Sequence, residues 1–397
     1  MRMRTGTRLA LLTLWFSAIG LQPMTAGADP LPEPTADAFY DAPAGFATAA
    51  PGTVFRTRPV ALTFYGIPTP ITATQALFRT ADSHDAPVTA VTTVIPSSTP
   101  RPGHPVISYQ IAIDGLAAQC NPSYRLRIGT EGDLRVLVML LQQGYGVVVT
   151  DHQGPRNAYG AGKMSGRATL DGIRAAESLP DTGFDGVRTP VAMWGYSGGA
   201  LATGWAAQLQ PSYAPELNVK AVAAGGTPAD LQAAGRQMNG GPASSVYLMG
   251  VIGVSREYPD MQGLRDLLND QGRQAEQVLS GRCIEEGAIA YPFRQLGDFT
   301  IVPNPLDDPR VQKFFAELKL GAAAPTAPVY LYHAVYDEGM PFAAAQQLAR
   351  DWCAGGSKVW FQAEQVAEHL SLSVTETPAV LKFFADRFAG LPAPTNC

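Results

Sequence analysis

The residues best suited to chemistry are 195–199, with the sequence Gly-Tyr-Ser-Gly-Gly. The apolar run 191–194 before them predicts a buried strand, and the small residues 200–207 after them predict a helix. A G-x-S-x-G sequence between a strand and a helix is typical of a nucleophile elbow, because its glycines leave room for the strained turn that exposes the serine hydroxyl. The alternative is a glycine-rich turn without chemistry, since the pattern alone is weak in a chain with 40 glycines.

A serine nucleophile requires a histidine that takes its proton and a carboxylate that orients the histidine. In an α/β-hydrolase fold the acid and then the histidine follow the serine along the chain. Five histidines are present, and only His333 and His369 follow Ser197. Asp337 comes just after the apolar run 329–332, in a loop that contains glycine and proline. These residues have the expected order for a catalytic triad.

We therefore predict that Ser197, Asp337 and His369 form the triad, with His369 in a loop beyond a strand. Glu338 is the alternative acid, because it neighbours Asp337 in the same loop. His333 lies at a strand end and is interpreted as structural.

An oxyanion hole requires two hydrogen-bond donors directed at the carbonyl oxygen of the substrate. The backbone N–H of Gly198 is expected to be one donor, because it follows the nucleophile. The second donor is expected from the loop after the predicted strand 105–109, which holds Gln110 and Asp114.

Several longer stretches match one known family. They include Ser108-Tyr109-Gln110 with Asp114, Asp151-His152 with Gly154, the elbow, Gly225-Gly226-Thr227-Pro228, and Ala367-Glu368-His369-Leu370. With these stretches the chain resembles the secretory lipase family of the Candida lipase A type, which has many actinobacterial members. The resemblance covers roughly residues 38–388 and implies a lipase or esterase fold with a lid. In that family an aspartate at the position of Asp114 helps to form the oxyanion hole, so the resemblance implies this role here.

Four cysteines allow two disulfides in three different pairings. Their wide spacing does not fit a zinc site. Cys397 is expected to pair with Cys353, its nearest neighbour in sequence, which leaves Cys120 with Cys283. The resemblance also implies the Cys120–Cys283 pair. Free buried thiols are the alternative.

The first 28 residues have the composition of a secretory signal peptide. Three arginines precede the apolar run 9–21, and Ala26-Gly27-Ala28 fits a cleavage site. We therefore expect an extracellular or cell-envelope protein without an integral membrane segment. Without the three arginines, 26 basic and 34 acidic residues give a formal charge of −8, which argues against nucleic acid as a partner.

The remaining chain alternates predicted strands and helices, which indicates a mostly parallel sheet flanked by helices. Residues 72–80 and 88–95 alternate apolar and polar residues and are expected to form a hairpin at the sheet edge. The expected hydrolase core comprises residues 29–226 and 326–397. The long interval 227–325 is expected to be a largely helical cap, or lid, because it far exceeds the length of a crossover.

The uncharged run 246–254 is the main clue to the substrate. It could line an acyl-chain channel, or it could be a helix buried against the core. Transient contact of the cap with a lipid interface is a related expectation.

The expected activity is hydrolysis of carboxylic esters through an acyl-enzyme on Ser197, with triacylglycerols as the leading candidate. The alternative enzyme is a carboxylesterase or acyltransferase for soluble or phenolic esters. A different class of function is a catalytically dead hydrolase used as a secreted binding module, which would lack part of the triad. No metal or organic cofactor is expected.

Overall fold

The computed structural model describes residues 31–99, 103–258 and 265–397. The predicted signal peptide, residues 1–28, lies outside them. Within the described residues, no helix is both long and apolar enough to span a membrane.

A nine-stranded sheet forms the centre of the fold, with the order β1-β2-β3-β5-β4-β6-β7-β8-β9. β1, β2 and β3 are antiparallel, β3 is antiparallel to β5, and every later pair is parallel. The prediction of a mostly parallel sheet is confirmed. The strands are β1 Val54–Phe64, β2 Ile67–Ala81, β3 Pro87–Ile95, β4 Val106–Gln110, β5 Gly146–Thr150, β6 Val191–Tyr196, β7 Val219–Gly225, β8 Val329–Ala334 and β9 Val359–Glu364.

The predicted hairpin forms between β2 and β3, but its expected place at the sheet edge is wrong. β1 pairs with the outer side of β2 and is itself the edge strand. Its sequence contains Arg56, Arg58 and Pro59, and most of its residues are at least partly exposed. Charges and proline are common on edge strands, and they hide the apolar alternation that identifies a strand in a sequence.

Helices cover both faces of the sheet and also fill the interval between β7 and β8. One face packs on α2 and α12, and the other packs on α4 and α10. The helices are α1 Pro122–Ile128, α2 Leu134–Gln142, α3 Gly162–Glu177, α4 Gly198–Tyr213, α5 Leu231–Met238, α6 Ser244–Glu257, α7 Asp270–Leu279, α8 Ile284–Gly287, α9 Pro309–Glu317, α10 Phe342–Ala354, α11 His369–Thr375 and α12 Thr377–Phe388.

The interval between β7 and β8 holds α5 to α9 and has apolar clusters of its own. Met238 of α5, Tyr247 of α6 and Phe315 of α9 belong to one cluster. Met249 of α6 and Leu279 of α7 belong to another, which also contains Leu116 from the segment after β4. These helices occupy the stretch for which the sequence predicts a cap.

The four cysteines form the disulfides Cys120–Cys283 and Cys353–Cys397. The first joins the segment before α1 to the start of α8. Next to it, the guanidinium of Arg125 donates hydrogen bonds of 2.6 and 3.1 Å to the carboxylate of Glu285. The interval between β7 and β8 is thus tied to the strand-bearing part by a covalent bond and an ion pair.

The second disulfide holds the last residues of the chain against β9. The backbone N–H of Asn396 donates to the carbonyl oxygen of Val359 at 3.0 Å. The side chain of Asn396 also bonds the N–H and the carbonyl of Phe361, at 2.8 and 2.9 Å. The tail therefore continues the hydrogen bonding of the sheet beyond its last strand.

Removing the Cys120–Cys283 disulfide is expected to cost more stability than removing Cys353–Cys397. The two bonds close loops with sequence separations of 163 and 44, and the longer loop loses more entropy in the unfolded chain. The double variant Cys120→Ser/Cys283→Ser should lower the free energy of unfolding by roughly 2–4 kcal/mol, about 1 kcal/mol more than Cys353→Ser/Cys397→Ser. Urea unfolding followed by circular dichroism measures both. A larger loss from the second pair would contradict the loop-length argument.

Candidate active site

Ser197 occupies the strained turn between β6 and α4. Its backbone has φ +53° and ψ −123°, a conformation that a residue with a side chain rarely adopts. The N–H of Ser197 donates to the carbonyl of Gly225 at the end of β7, at 2.9 Å. This turn matches the nucleophile elbow expected from the sequence.

The elbow also requires glycine because α4 begins very close to β4. A Cβ atom on Gly199 would overlap the carbonyl oxygen of Gln110, the last residue of β4. The side chain of Gln110 is buried, donates to the hydroxyl of Ser108 at 2.6 Å and accepts from the hydroxyl of Thr203 at 2.7 Å. Gln110 therefore joins β4 to α4, and both polar atoms of its side-chain amide are hydrogen-bonded within the protein.

The predicted triad residues lie together with the spacing of a proton relay. Nε2 of His369 is 2.9 Å from Oγ of Ser197. Nδ1 of His369 is 2.6 Å from Oδ2 of Asp337, which follows β8. Such a geometry allows the imidazole to accept the serine proton while the carboxylate fixes its tautomer.

The expected loop position of His369 is wrong, because His369 is the first residue of the short helix α11. Glu368 caps this helix: its carboxylate accepts from the N–H groups of Leu370 and Ser371 at 2.8 and 2.7 Å. The hydroxyl of Ser371 in turn bonds the N–H of Glu368 at 3.2 Å. This capping box fixes the backbone from which the imidazole extends.

The loop that carries Asp337 is held by its own backbone and by a buried histidine. Oδ1 of Asp337 accepts from the N–H groups of Gly339 and Met340 at 3.0 and 2.6 Å. Nε2 of His333 donates to the carbonyl of Met340 at 2.9 Å and is 3.5 Å from Oδ2 of Asp337. Burial lowers the pKa of His333, so this ring stays neutral. The structural interpretation of His333 agrees with these contacts.

Glu338, the alternative acid, contacts His369 differently. Oε2 of Glu338 accepts from the backbone N–H of His369 at 3.1 Å, whereas the imidazole bonds to Asp337. Burial raises the pKa of Asp337, but the hydrogen bond and charge of His369, together with the N–H of Met340, outweigh it and hold the pKa below its usual value. Burial lowers the pKa of His369, yet the hydrogen bond and negative charge of Asp337, together with the charges of Glu338 and Asp114, raise it above its usual value. The geometry favours Asp337 as the acid.

Asp114 lies beside the start of α4, with a backbone φ of +45°. A Cβ atom on Gly198 would overlap its carboxylate, so the two residues are in close contact. Among the described residues, nothing donates to the buried Oδ1 of Asp114. Burial raises the pKa of Asp114 to about 7, and the nearby His369 partly offsets the rise. A substantial fraction of Asp114 is therefore protonated near neutral pH and able to donate a hydrogen bond.

A cavity of about 920 Å³ opens onto Ser197, His369 and Asp114, and most of its wall is apolar. A narrower enclosed space continues from Ser197 beneath α5, α6 and α9. Several residues could not be recognised from the sequence as part of the cavity wall, because they come together from segments that are distant in the chain. Those residues are Tyr109, Asp133, Arg135, Val136, Met139, Tyr159, Trp194, Tyr196, Val374 and Pro378.

The uncharged run 246–254 lies in α6, where some of its residues line the two cavities and others pack in an apolar cluster. Val246 lines the open cavity, and Val251 and Val254 line the enclosed space. Leu248, Met249 and Ile252 pack in the apolar cluster that contains Leu116.

Metal binding finds no support in the described residues, where no three His, Cys, Asp or Glu side chains converge on one point.

The parallel sheet, the strained serine turn and the Ser–His–Asp arrangement define the α/β-hydrolase class. The family model for secretory lipases matches residues 121–396, and the chain belongs to the secretory lipase family. The structure of Candida antarctica lipase A superimposes with a TM-score of 0.85 at 31% identity, covering 92% of this chain and 89% of the other.

Two relatives differ in what their names say about activity. A secreted triacylglycerol lipase of Malassezia restricta is 34% identical over 379 residues, covering 90% of this chain and 80% of the relative. A protein of Mycobacterium tuberculosis, named a probable inactive lipase, is 38% identical over 374 residues, covering 90% of this chain and 83% of the relative. Family membership therefore leaves activity to be argued from the site.

Asp337→Asn is expected to lower the pKa of His369, because it removes the negative charge and leaves at most a neutral hydrogen bond where a charge-assisted one raised the pKa. Glu338→Gln should lower that pKa less, since Glu338 contacts the backbone N–H and acts on the ring only through its charge. Nuclear magnetic resonance titration of the His369 ring measures both changes. A larger effect of Glu338→Gln would show that Glu338 is the acid.

Proposed function

We propose that this protein is a secreted serine esterase or lipase that hydrolyses carboxylic esters, with triacylglycerols as the leading substrate class. The observation that carries the proposal is the continuous hydrogen-bonded chain from Ser197 through His369 to Asp337, at 2.9 and 2.6 Å. Ser197 and His369 line a largely apolar cavity, which suits a substrate with an acyl chain.

The reaction begins when Nε2 of His369 takes the hydroxyl proton of Ser197 as Oγ attacks the ester carbonyl. The tetrahedral intermediate collapses as the imidazolium returns that proton to the leaving alcohol, which leaves an acyl group on Ser197. Water then attacks the acyl carbon and gives its proton to His369. The acid product leaves and Ser197 regains its hydroxyl. Asp337 stays ionised throughout and stabilises the imidazolium.

Two donors would stabilise the negative oxygen of the intermediate. One is the backbone N–H of Gly198, at the N-terminus of α4, where the helix dipole also favours negative charge. The other is the protonated carboxyl of Asp114, which lies next to Gly198. Its buried Oδ1 has no hydrogen-bond partner among the described residues. Removing one such donor from a serine hydrolase lowers kcat by roughly 10²–10³-fold.

Residues 227–325 are proposed to act as the cap. Its helices supply Met238 and Val246 to the cavity beside Ser197. The enclosed space beneath them, about 30 Å³, is lined by apolar side chains such as Leu231, Val251 and Phe315. Exposed Ile289 and Leu370 at the cavity wall support transient contact with a lipid interface.

The N-terminal composition supports export, with cleavage after Ala28. Two disulfides also suit an oxidising compartment. The acidic charge balance disfavours nucleic acid as a partner.

Ligand binding without catalysis is the competing function. The reason to consider it is that the mycobacterial relative is named a probable inactive lipase. A dead hydrolase would be expected to lack a triad member or to have a blocked elbow. Here Ser197, His369 and Asp337 are all present, His369 bonds the other two, and the cavity reaches Ser197. We therefore favour catalysis.

Ser197→Ala is expected to lower ester turnover by roughly 10³–10⁶-fold while folding is nearly unchanged, because it removes the nucleophile without adding bulk. Assays with p-nitrophenyl esters from acetate to palmitate and with emulsified tributyrin measure the loss and the chain-length preference. A fluorophosphonate probe should label the wild type at Ser197 and leave the variant unlabelled. Wild-type turnover in Ser197→Ala would refute the enzyme proposal.

The pH profile is expected to fall on both sides of an optimum. His369 must be neutral to accept a proton, so activity falls as the pH drops through its pKa, which lies above the usual value. Asp114 donates only when protonated, so activity also falls as the pH rises through about 7.

Asp114→Asn should remove most of the alkaline decline, because an amide donates at any pH. For this variant, kcat/KM at pH 9 divided by kcat/KM at pH 7 should exceed the same quotient for the wild type by roughly tenfold or more. Glu338→Gln, which removes another carboxylate from the same cavity, is the control and should keep the alkaline decline of the wild type. An unchanged alkaline limb in Asp114→Asn would rule out a protonated Asp114 as donor.

A further inference from the structure

One wall of the cavity consists of residues that have no role in the reaction described above. It is formed by α2, by α12 and the part of α11 after His369, and by Tyr109 of β4 and Trp194 of β6. The two rings are in edge contact, with centroids 5.2 Å apart. Trp194 precedes Ser197 by three residues, so this wall begins within about 10 Å of the serine, within reach of a bound ester.

Asp133 brings a carboxylate to this wall in an unusual orientation. It directly precedes α2, where an aspartate normally accepts a hydrogen bond from the first turn of the helix. The side chain of Asp133 makes no such bond. It accepts instead from the hydroxyl of Tyr109 at 3.1 Å, and it lines the cavity.

The second carboxylate oxygen of Asp133 is available to a ligand. Across the described part of the chain, the hydrogen bond from Tyr109 to Oδ2 is the only one that the carboxylate accepts. Asp133 is half-buried, and this partial burial raises its pKa. A carboxylate oxygen at a cavity wall that no protein group bonds can accept a hydrogen bond from a ligand.

The surroundings restrict the kind of donor. Arg135 lines the same wall, and its positive charge disfavours a cationic ligand group. The negative charge of Asp133 disfavours a carboxylate or a phosphate for the same reason. A neutral hydroxyl fits both, and the carbon atoms that bear it can pack against the rings of Tyr109 and Trp194.

We propose that Asp133, oriented by Tyr109, forms an alcohol-side subsite for esters whose leaving group keeps a free hydroxyl, such as partial glycerides. The hydroxyl of the glycerol part donates to Asp133 while the ester carbonyl lies at Ser197. The subsite rests on the proposed esterase function. Partial glycerides are released when triacylglycerols are cleaved. The subsite lets the same site retain them as further substrates.

The test compares 1-monooctanoylglycerol with methyl octanoate, which share the acyl chain and differ in the alcohol. Asp133→Leu should lower the ratio of their kcat/KM values by about tenfold, the effect of losing one hydrogen bond to a charged group. Tyr109→Phe should lower the ratio in the same direction, because Asp133 loses its orienting donor. Asp133→Asn, which keeps the shape, should give a smaller decrease and replaces Asp133→Leu if that variant fails to fold.

Glu131→Gln is the matched control. Glu131 is a buried carboxylate two residues away that is absent from the cavity wall, and its Oε1 accepts the N–H of Asp133 at 3.2 Å. A glutamine oxygen can still accept that bond, so the substrate ratio should stay at the wild-type value. An unchanged ratio in both Asp133→Leu and Tyr109→Phe would overturn the subsite.

A binding experiment separates failure of the subsite from failure of the proposed function. The non-hydrolysable ether 1-O-octylglycerol is titrated calorimetrically into Ser197→Ala and into Ser197→Ala/Asp133→Leu. The first variant should bind about tenfold more tightly. Equal binding would overturn the subsite even if esters are hydrolysed. Tighter binding by the first variant with no hydrolysis by the wild type would refute the esterase and leave the subsite standing.

Discussion

The strained backbone of Ser197 is the constraint on which the rest of the site depends. A residue with a side chain at φ +53° costs of order 1–3 kcal/mol, so its surroundings must hold it there. The hydrogen bond to Gly225 holds it from β7, and the contact of Gly199 with Gln110 holds it from β4. The parallel sheet supplies these restraints because the carboxyl ends of its strands lie at one edge.

The same edge brings together side chains that are far apart in the sequence. Asp337 follows β8 and His369 follows β9, and these two strands are neighbours in the sheet. The elbow follows β6, two strands from β8 on the other side of β7. An imidazole from one loop can therefore bond both Ser197 and Asp337. Two cross-links keep the inserted helices next to this edge. The Cys120–Cys283 disulfide joins the segment before α1 to the start of α8, and the Arg125–Glu285 ion pair joins α1 to α8.

Much of this architecture was readable from the sequence, for physical reasons. The buried parallel strands are short apolar runs, and two histidines after Ser197 left little choice of base. The sequence did not reveal β1, because an exposed edge strand carries charges and a proline. It also placed His369 in a loop, because a helix of seven residues is too short for a clear apolar period.

The cavity wall was harder to predict than the triad. Asp133 looks like an ordinary helix-start residue in the sequence, and only the three-dimensional fold shows its carboxylate bonded to Tyr109. The conformation of Asp114 was equally hidden, since its position beside Gly198 depends on contact between the loop after β4 and the start of α4. Here the family resemblance suggested a role that spacing alone could not.

The tail that Cys397 ties to Cys353 has a consequence for the protein's behaviour in solution. β9 is the last strand of the sheet, and an unpaired outer strand offers a template on which another chain can add a strand. Asn396 bonds the carbonyl of Val359 and both backbone groups of Phe361 on that outer side. The disulfide thus holds the tail over the first half of β9, where it opposes edge-to-edge aggregation.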